Sequence, residues 1–82
     1  MEQDEILRTL CEEIAVIAGV APDAVMPEAS MRDNHIDSMG FIALLAAVRR
    51  VWGLDFISGG LSAAESATPR ALADRVRREL TA

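Results

Sequence analysis

The sequence contains no tyrosine and no lysine, and only one cysteine, one histidine and three aromatic residues among 82. One cysteine forms no disulfide within the chain and leaves no second thiolate for a metal cluster, as suits a reducing cytoplasm. Most catalytic and metal-binding sets need more of these residue types than this chain has. We therefore do not expect the chain to be an enzyme, and we expect its stability to come from packing.

A long hydrophobic run and an excess of basic residues are also missing. No uncharged stretch reaches the ~18 residues of a membrane span, and no basic start followed by an apolar run marks the N-terminus. The formal net charge is −5, with 13 acidic residues against 8 basic ones, which disfavours binding to nucleic-acid phosphates. We expect a cytoplasmic protein with no membrane span and no nucleic-acid partner.

What the chain does contain is apolar aliphatic residues. Hydrophobic residues make up 51% of the sequence, and because so few are aromatic, packed helices are favoured over a sheet. A length of 82 residues allows one small domain with one core. We predict a single all-α domain over residues 1–82.

The first predicted helix runs from about Glu2 to Gly19. Its apolar residues recur at helical spacing and form one face: Ile6, Leu7, Leu10, Cys11, Ile14, Ile17 and Ala18. The periodicity then stops over 20–36, where turn-forming residues predict a long, ordered loop. Its apolar side chains are expected to fold back onto the helices: Val25, Met26 and Met31.

The second predicted helix begins at Asp37 or Ser38, either of which could cap it, and ends at Trp52 before Gly53. One side carries a stripe that predicts core packing: Phe41, Leu44, Leu45, Val48 and Trp52. The other side is also apolar: Met39, Ile42, Ala43, Ala46 and Ala47. The only charged residues between Ser38 and Gly53 are Arg49 and Arg50. So little charge on an exposed helix side predicts a partner-docking surface.

Two further helices are predicted in the last third of the chain. A short one covers about 61–66, after the breaker Gly59-Gly60. The last is opened by Thr68 and Pro69, a cap followed by proline at the first helical position. Its apolar residues repeat every four positions: Leu72, Val76 and Leu80.

Ser38 is the residue with the most informative setting. A long loop delivers its hydroxyl to the start of a helix, where another enzyme could reach it. A phosphate-linked group is tolerated there, because unpaired amides and the positive end of the helix dipole favour negative charge. A nucleophile–base pair of Ser38 with His35, oriented by Asp37 or Asp33, is less favoured, since no pocket or oxyanion hole accompanies it. The position suits covalent attachment better than catalysis.

At these residues the sequence resembles the acyl and peptidyl carrier family, whose attachment motif here reads Ile36-Asp37-Ser38-Met39. The resemblance extends over the whole chain in the order of its elements. The helix headed by Ser38 ends in Trp52-Gly53-Leu54, and a short third segment precedes the Thr68-Pro69 opening of the last helix. The resemblance implies a four-helix bundle of acyl-carrier type, with a long first loop and a short third helix.

The resemblance also implies a function as a free-standing, monomeric carrier. Ser38 would receive 4′-phosphopantetheine from coenzyme A through a magnesium-dependent phosphopantetheinyl transferase, with Asp37 in the motif that this enzyme recognises. The thiol of the arm would hold acyl or aminoacyl groups as thioesters. Partners would be an acyl- or aminoacyl-loading enzyme and downstream condensing or tailoring enzymes. They would contact a docking face formed by Met39, Ile42, Ala43, Ala46, Arg49 and Arg50.

One departure from the family bears on the pathway. Fatty-acid carriers usually show carboxylates along the second helix, where this chain has Arg49 and Arg50. We therefore expect a carrier of polyketide or nonribosomal peptide biosynthesis. The Asp37-Ser38-Met39-Gly40 motif also resembles D-alanyl carriers of cell-wall modification. Two alternatives without a prosthetic group are a small helical interaction module and, less suited to the acidic charge, a helix-turn-helix DNA reader.

Overall fold

A computed structural model describes the backbone of residues 2–82 and the side chains from residue 5 onward. Helix α1 spans Glu2–Ala18, α2 spans Ser38–Trp52 and α3 spans Pro69–Thr81. A 3-10 turn at Pro22–Ala24 lies in the loop between α1 and α2. Residues 2–82 hold no strand, so the all-α prediction is confirmed, with three α-helices.

The predicted short helix at 61–66 is wrong, because residues 63–66 form turns. The backbone N–H of Ser62 donates to Glu65 Oε1 at 3.0 Å, and the N–H of Glu65 donates to Ser62 Oγ at 3.1 Å. These reciprocal bonds satisfy the start of a helical turn. The turn does not propagate, because Thr68 precedes Pro69 and adopts extended dihedrals, with φ −135° and ψ 160°.

The core forms where the apolar sides of the three helices meet. Helix α1 contacts both α2 and α3. Each helix contributes two fully buried aliphatic side chains: Leu10 and Ile14, Leu44 and Val48, Leu72 and Val76. These pairs confirm the predicted stripes. Leu80 was predicted to continue the last stripe but is 45% exposed, because the last turn of α3 borders an open cleft beside Trp52.

The predicted helix ends are confirmed by their caps. Thr68 Oγ1 accepts the N–H of Ala71 at 3.0 Å at the start of α3. Gly53 ends α2 with φ +74°, a left-handed conformation that glycine adopts without the strain of a side chain. Each of these caps involves only residues within a few positions of the helix end, which is why the local sequence predicts it. No helix of residues 2–82 is both long and apolar enough to cross a membrane.

The segment between α2 and α3 is held to α3 by Arg75. Its guanidinium donates to the carbonyl of Gly60 and to Glu65 Oε1, the latter at 2.8 Å, and lies 5.1 Å from the ring centre of Phe56. The Ser62 N–H and the Arg75 guanidinium together hold the pKa of Glu65 below its usual value. Residues 56–65 are therefore ordered by ion pairs and hydrogen bonds in place of a helix.

Candidate functional site

Ser38 is the first residue of α2, and its side chain is exposed. The preceding residue, Asp37, is the cap: its Oδ1 accepts the N–H of Gly40 at 2.7 Å, and its backbone is extended. The sequence left open which of the two residues caps the helix, and the structure assigns this role to Asp37. The Ser38 hydroxyl is therefore not needed to hold the helix end.

The loop that delivers Ser38 is organised by Asn34, which is buried at 4% exposure. Asn34 Oδ1 accepts the N–H of Met26 at 2.7 Å, while Nδ2 donates to the carbonyls of Met26 at 2.9 Å and Ser30 at 3.0 Å. One side chain thus closes the loop across eight residues. Sequence analysis missed this role, because a buried asparagine and a solvated one look alike in a loop.

The last part of the loop is anchored by a buried side chain and by a backbone hydrogen bond. Ile36 is 4% exposed and sits two positions before Ser38. The N–H of Met31 donates to the carbonyl of Ala67 at 3.2 Å, which ties the loop to the chain just before α3. Val25 and Met31 are buried as predicted. The prediction is wrong for Met26, which is 49% exposed. The loop holds this residue by its backbone N–H and C=O, which bind Asn34.

Gly40 is a second residue whose role the sequence did not reveal. A Cβ at this position would lie 3.1 Å from Asp37 Oδ1 and 3.3 Å from Cγ2 of Ile17 in α1. Both distances are shorter than ordinary van der Waals contact. Glycine here therefore lets the Asp37 cap and α1 approach the first turn of α2 closely.

An open cleft of about 480 Å³ adjoins Ser38. Its lining residues are Met31, Ile36, Asp37, Ser38, Phe41, Ile42 and Ser66. We call this space the Ser38 cleft. Ser66, from the turn before α3, lines the same cleft as Ser38 only because of the fold, and no sequence pattern predicts this. A largely apolar cleft next to an exposed hydroxyl provides space for an apolar group near that hydroxyl.

The four apolar residues of the predicted docking face lie together on the exposed side of α2. Met39 is 83% and Ile42 54% exposed, and Ala43 and Ala46 are exposed too. The spacing of Ile42 fits core packing about as well as a place on the exposed side, and the structure places it on the surface. Ala47 does not belong to this side, since it is 5% exposed and packs in the interior.

The two arginines of the docking face differ in their surroundings. Arg50 Nη2 pairs with Glu13 Oε1 of α1 at 2.8 Å. Arg49 is exposed and acts at a distance on Asp55, whose pKa is lowered first by a hydrogen bond from the Ser58 hydroxyl and only weakly by Arg49. The structure thus brings both arginines to the end of the predicted face, and it pairs Arg50 with a carboxylate of α1.

No catalytic or metal-binding set accompanies Ser38 in the part of the chain that the structure describes. His35 is exposed and has φ +64°. No hydrogen bond joins His35 to Ser38 among residues 5–82, and Asp37 Oδ1 accepts the N–H of Gly40. The same residues contain no group of three or more histidine, cysteine or acidic side chains placed to hold a metal ion.

Comparison with models of protein families gives no match for this chain, and neither does comparison with curated proteins. The site is therefore interpreted from its own residues. These are an exposed serine at the start of α2, an aspartate that caps the helix, an apolar cleft beside the serine and an apolar exposed helix side.

The Asn34 network makes a testable prediction about presentation of Ser38. Asn34→Asp keeps the size of the side chain but replaces the Nδ2 donor by an oxygen facing the carbonyls of Met26 and Ser30. We expect a loss of roughly 1–3 kcal/mol in the free energy of unfolding, the cost of buried polar groups left unpaired. Denaturant unfolding measures the loss, and hydrogen exchange should show faster exchange of the Met26 amide.

The matched control is Asp33→Asn, the reverse change at the neighbouring exposed position. It should leave the free energy of unfolding within about 0.5 kcal/mol of the natural chain. Equal effects of the two changes would contradict the role given to Asn34.

Proposed function

We propose that this chain is a carrier protein whose Ser38 hydroxyl bears a 4′-phosphopantetheine arm. The observation that carries the proposal is the position of Ser38: it is exposed, heads α2 and is released from capping by Asp37. A serine placed in this way is accessible to a modifying enzyme, and the nearby helix start favours a phosphodiester. The carrier acts as substrate and shuttle, and not as an enzyme.

The attachment reaction is a phosphoryl-group transfer. Ser38 Oγ forms a bond to the phosphorus that carries the pantetheine in coenzyme A. The pyrophosphate bond breaks, adenosine 3′,5′-bisphosphate leaves, and the serine proton passes to a base of the transferase. Asp37 uses only Oδ1 as the helix cap, and a carboxylate has a second oxygen with acceptor sites. That oxygen is available to the transferase and its magnesium ion.

The arm's thiol then carries an acyl or aminoacyl group as a thioester between partner enzymes. A flexible tether raises the effective concentration of the group at each partner that the carrier reaches. We assign the carrier to polyketide or nonribosomal peptide biosynthesis, because Arg49 and Arg50 stand on the docking face where fatty-acid carriers have carboxylates. We assign it to the cytoplasm because a chain with a single cysteine suits a reducing compartment. A D-alanyl carrier remains the alternative within the family.

The fold supports the proposal in its order of elements. A long ordered loop precedes α2, and a single helical turn at 62–66 stands where the carrier family has its short third helix. The bundle of the carrier family is the architecture that we propose, with the turn at 62–66 in the place of its short third helix. Monomeric behaviour is part of the same proposal.

The test of the proposal is the intact mass of the chain after incubation with coenzyme A, magnesium and a broad-specificity phosphopantetheinyl transferase. We expect a gain of one phosphopantetheinyl group, located at Ser38 by fragmentation. A known carrier loaded in parallel establishes that the transferase is active, and far-ultraviolet circular dichroism establishes that the chain is folded. No gain under these conditions would refute the carrier function.

A helical interaction module without a prosthetic group is the second candidate. It is favoured by the exposed apolar side of α2, in particular Met39 at 83% exposure. Such a module would bind a partner through this side without any modification of Ser38. The mass measurement separates the two functions.

A further inference from the structure

Arg49 and Arg50 are adjacent in sequence, but only Arg49 has its charge available to a partner. Arg50 is paired with Glu13 at 2.8 Å, which offsets its charge and links α2 to α1. Arg49 forms no salt bridge among residues 5–82 and is exposed. Asp55 interacts with Arg49 at a distance and forms no salt bridge with it, and this carboxylate accepts hydrogen bonds from Ser58 and Ile57 in its own turn.

The apolar residues of the docking face end where Arg49 begins. Met39, Ile42, Ala43, Ala46 and Arg49 follow one another at intervals of three, one, three and three residues, which keeps them on one side of the helix. Arg49 comes ten residues after Met39, or about 15 Å further along the helix axis. The face therefore has an apolar end next to Ser38 and a cationic end away from it.

We infer that the docking face binds a partner protein surface that combines an apolar patch with a carboxylate placed opposite Arg49. The inference names the partner chemistry of the proposed carrier and rests on that function. An acidic group complements the one unpaired cation of the face, and an apolar patch removes Met39 and Ile42 from water. The chain as a whole is acidic, with a net charge of −5, so Arg49 also selects the end of α2 that an acidic partner group approaches.

A charge reversal would have different effects at Arg50 and at Arg49. Reversing Arg50 would break its pair with Glu13 of α1 and place two carboxylates together, so any loss of binding would combine fold and surface effects. Reversing Arg49 breaks no salt bridge between helices and changes only its distant interaction with Asp55 besides the surface charge. Arg49 is therefore the residue with which the charge of the partner is tested.

The experiment uses two synthetic amphipathic helical peptides as probes. They share a leucine stripe, and they differ at one end, which carries two glutamates in one peptide and two lysines in the other. Binding to the full chain is followed at low ionic strength by two-dimensional nuclear magnetic resonance of the labelled chain. The variants are Arg49→Glu, Met39→Ala and a matched control, Arg8→Glu, which makes the same charge change on the exposed side of α1.

We expect the glutamate peptide to bind the natural chain about two- to fivefold more tightly than the lysine peptide, the range of an exposed charge pair. Arg49→Glu should reverse this order, Arg8→Glu should preserve it, and Met39→Ala should weaken both peptides. Shifted resonances should lie along α2. Four results would overturn the inference: no binding, equal binding of the two peptides, the same loss in Arg8→Glu, or self-association of the chain through Met39.

Loading of Ser38, measured on the same samples, separates the inference from the function on which it rests. If Ser38 is not loaded while the peptides are still discriminated, the carrier function fails and the docking chemistry stands. If Ser38 is loaded while the peptides are not discriminated, the carrier function stands and the partner chemistry fails.

Discussion

A chain with Ser38→Ala is expected to gain no phosphopantetheinyl group at all while folding like the natural chain. On the proposed function, loading is lost because the phosphorus would bind to the hydroxyl oxygen. Folding is preserved because Asp37, and not Ser38, caps α2. The free energy of unfolding should change by less than about 1 kcal/mol, since alanine favours a helix at least as well as serine. Intact mass and denaturant unfolding of the same preparation measure the two effects.

Two control variants separate attachment from helix capping. Ser58→Ala removes an exposed hydroxyl outside α2 and should be loaded like the natural chain. Asp37→Asn keeps an oxygen that can accept the Gly40 N–H, and asparagine caps as well as aspartate. It should therefore fold normally but load more slowly, because the carboxylate charge is gone. Loading of Ser38→Ala would show that the arm is attached elsewhere.

Leu44→Ala is expected to lower the free energy of unfolding by about 2–5 kcal/mol, the range for a fully buried leucine. Leu44 is 0% exposed in the centre of the core formed by α1, α2 and α3. A loss of this size is a large part of the stability of a domain of 82 residues. The single tryptophan, Trp52, is half-buried against the core and reports unfolding by its fluorescence.

The matched control is Ile42→Ala, two residues earlier in the same helix. Ile42 is 54% exposed, so its truncation should cost less than about 1 kcal/mol. Comparable losses for the two variants would contradict the division of α2 into a core side and an exposed side. The control should also retain loading of Ser38, since the hydroxyl and its Asp37 neighbour are unchanged.

Much of the helical structure could be predicted because its signals are local. Asp37, Gly53 and Thr68 mark helix ends through bonds and dihedrals within a few residues of themselves. The core stripes follow from spacing alone, and their central members are fully buried. The stripe of α3 fails only at Leu80, which lines an open cleft beside Trp52 and is 45% exposed.

The features of the site also divide into local ones, which the sequence predicts, and long-range ones, which it does not. Exposure of Ser38 follows from its place at a helix start. The role of Asn34 could not be predicted, because it depends on the loop folding back so that Met26 lies beside a residue eight positions later. Arg50 pairs with Glu13, 37 residues away, and Arg75 binds Gly60 and Glu65, 15 and 10 residues away. No local pattern predicts these contacts, unlike the pair of Arg75 with Glu79 four positions later.

The sequence by itself indicated the three α-helices, the end of α2 at Gly53, the cap of α3 at Thr68 and a long loop before Ser38, because hydrophobic periodicity and capping act between neighbouring residues. The tertiary structure alone decided that Ile42 faces water and Ala47 the interior, that Ser66 adjoins Ser38, and that Arg50 is paired while Arg49 is not. It also decided that residues 61–66 stay a single turn held by Arg75. These outcomes depend on which segments meet in space, and that is set by packing among residues far apart in the chain.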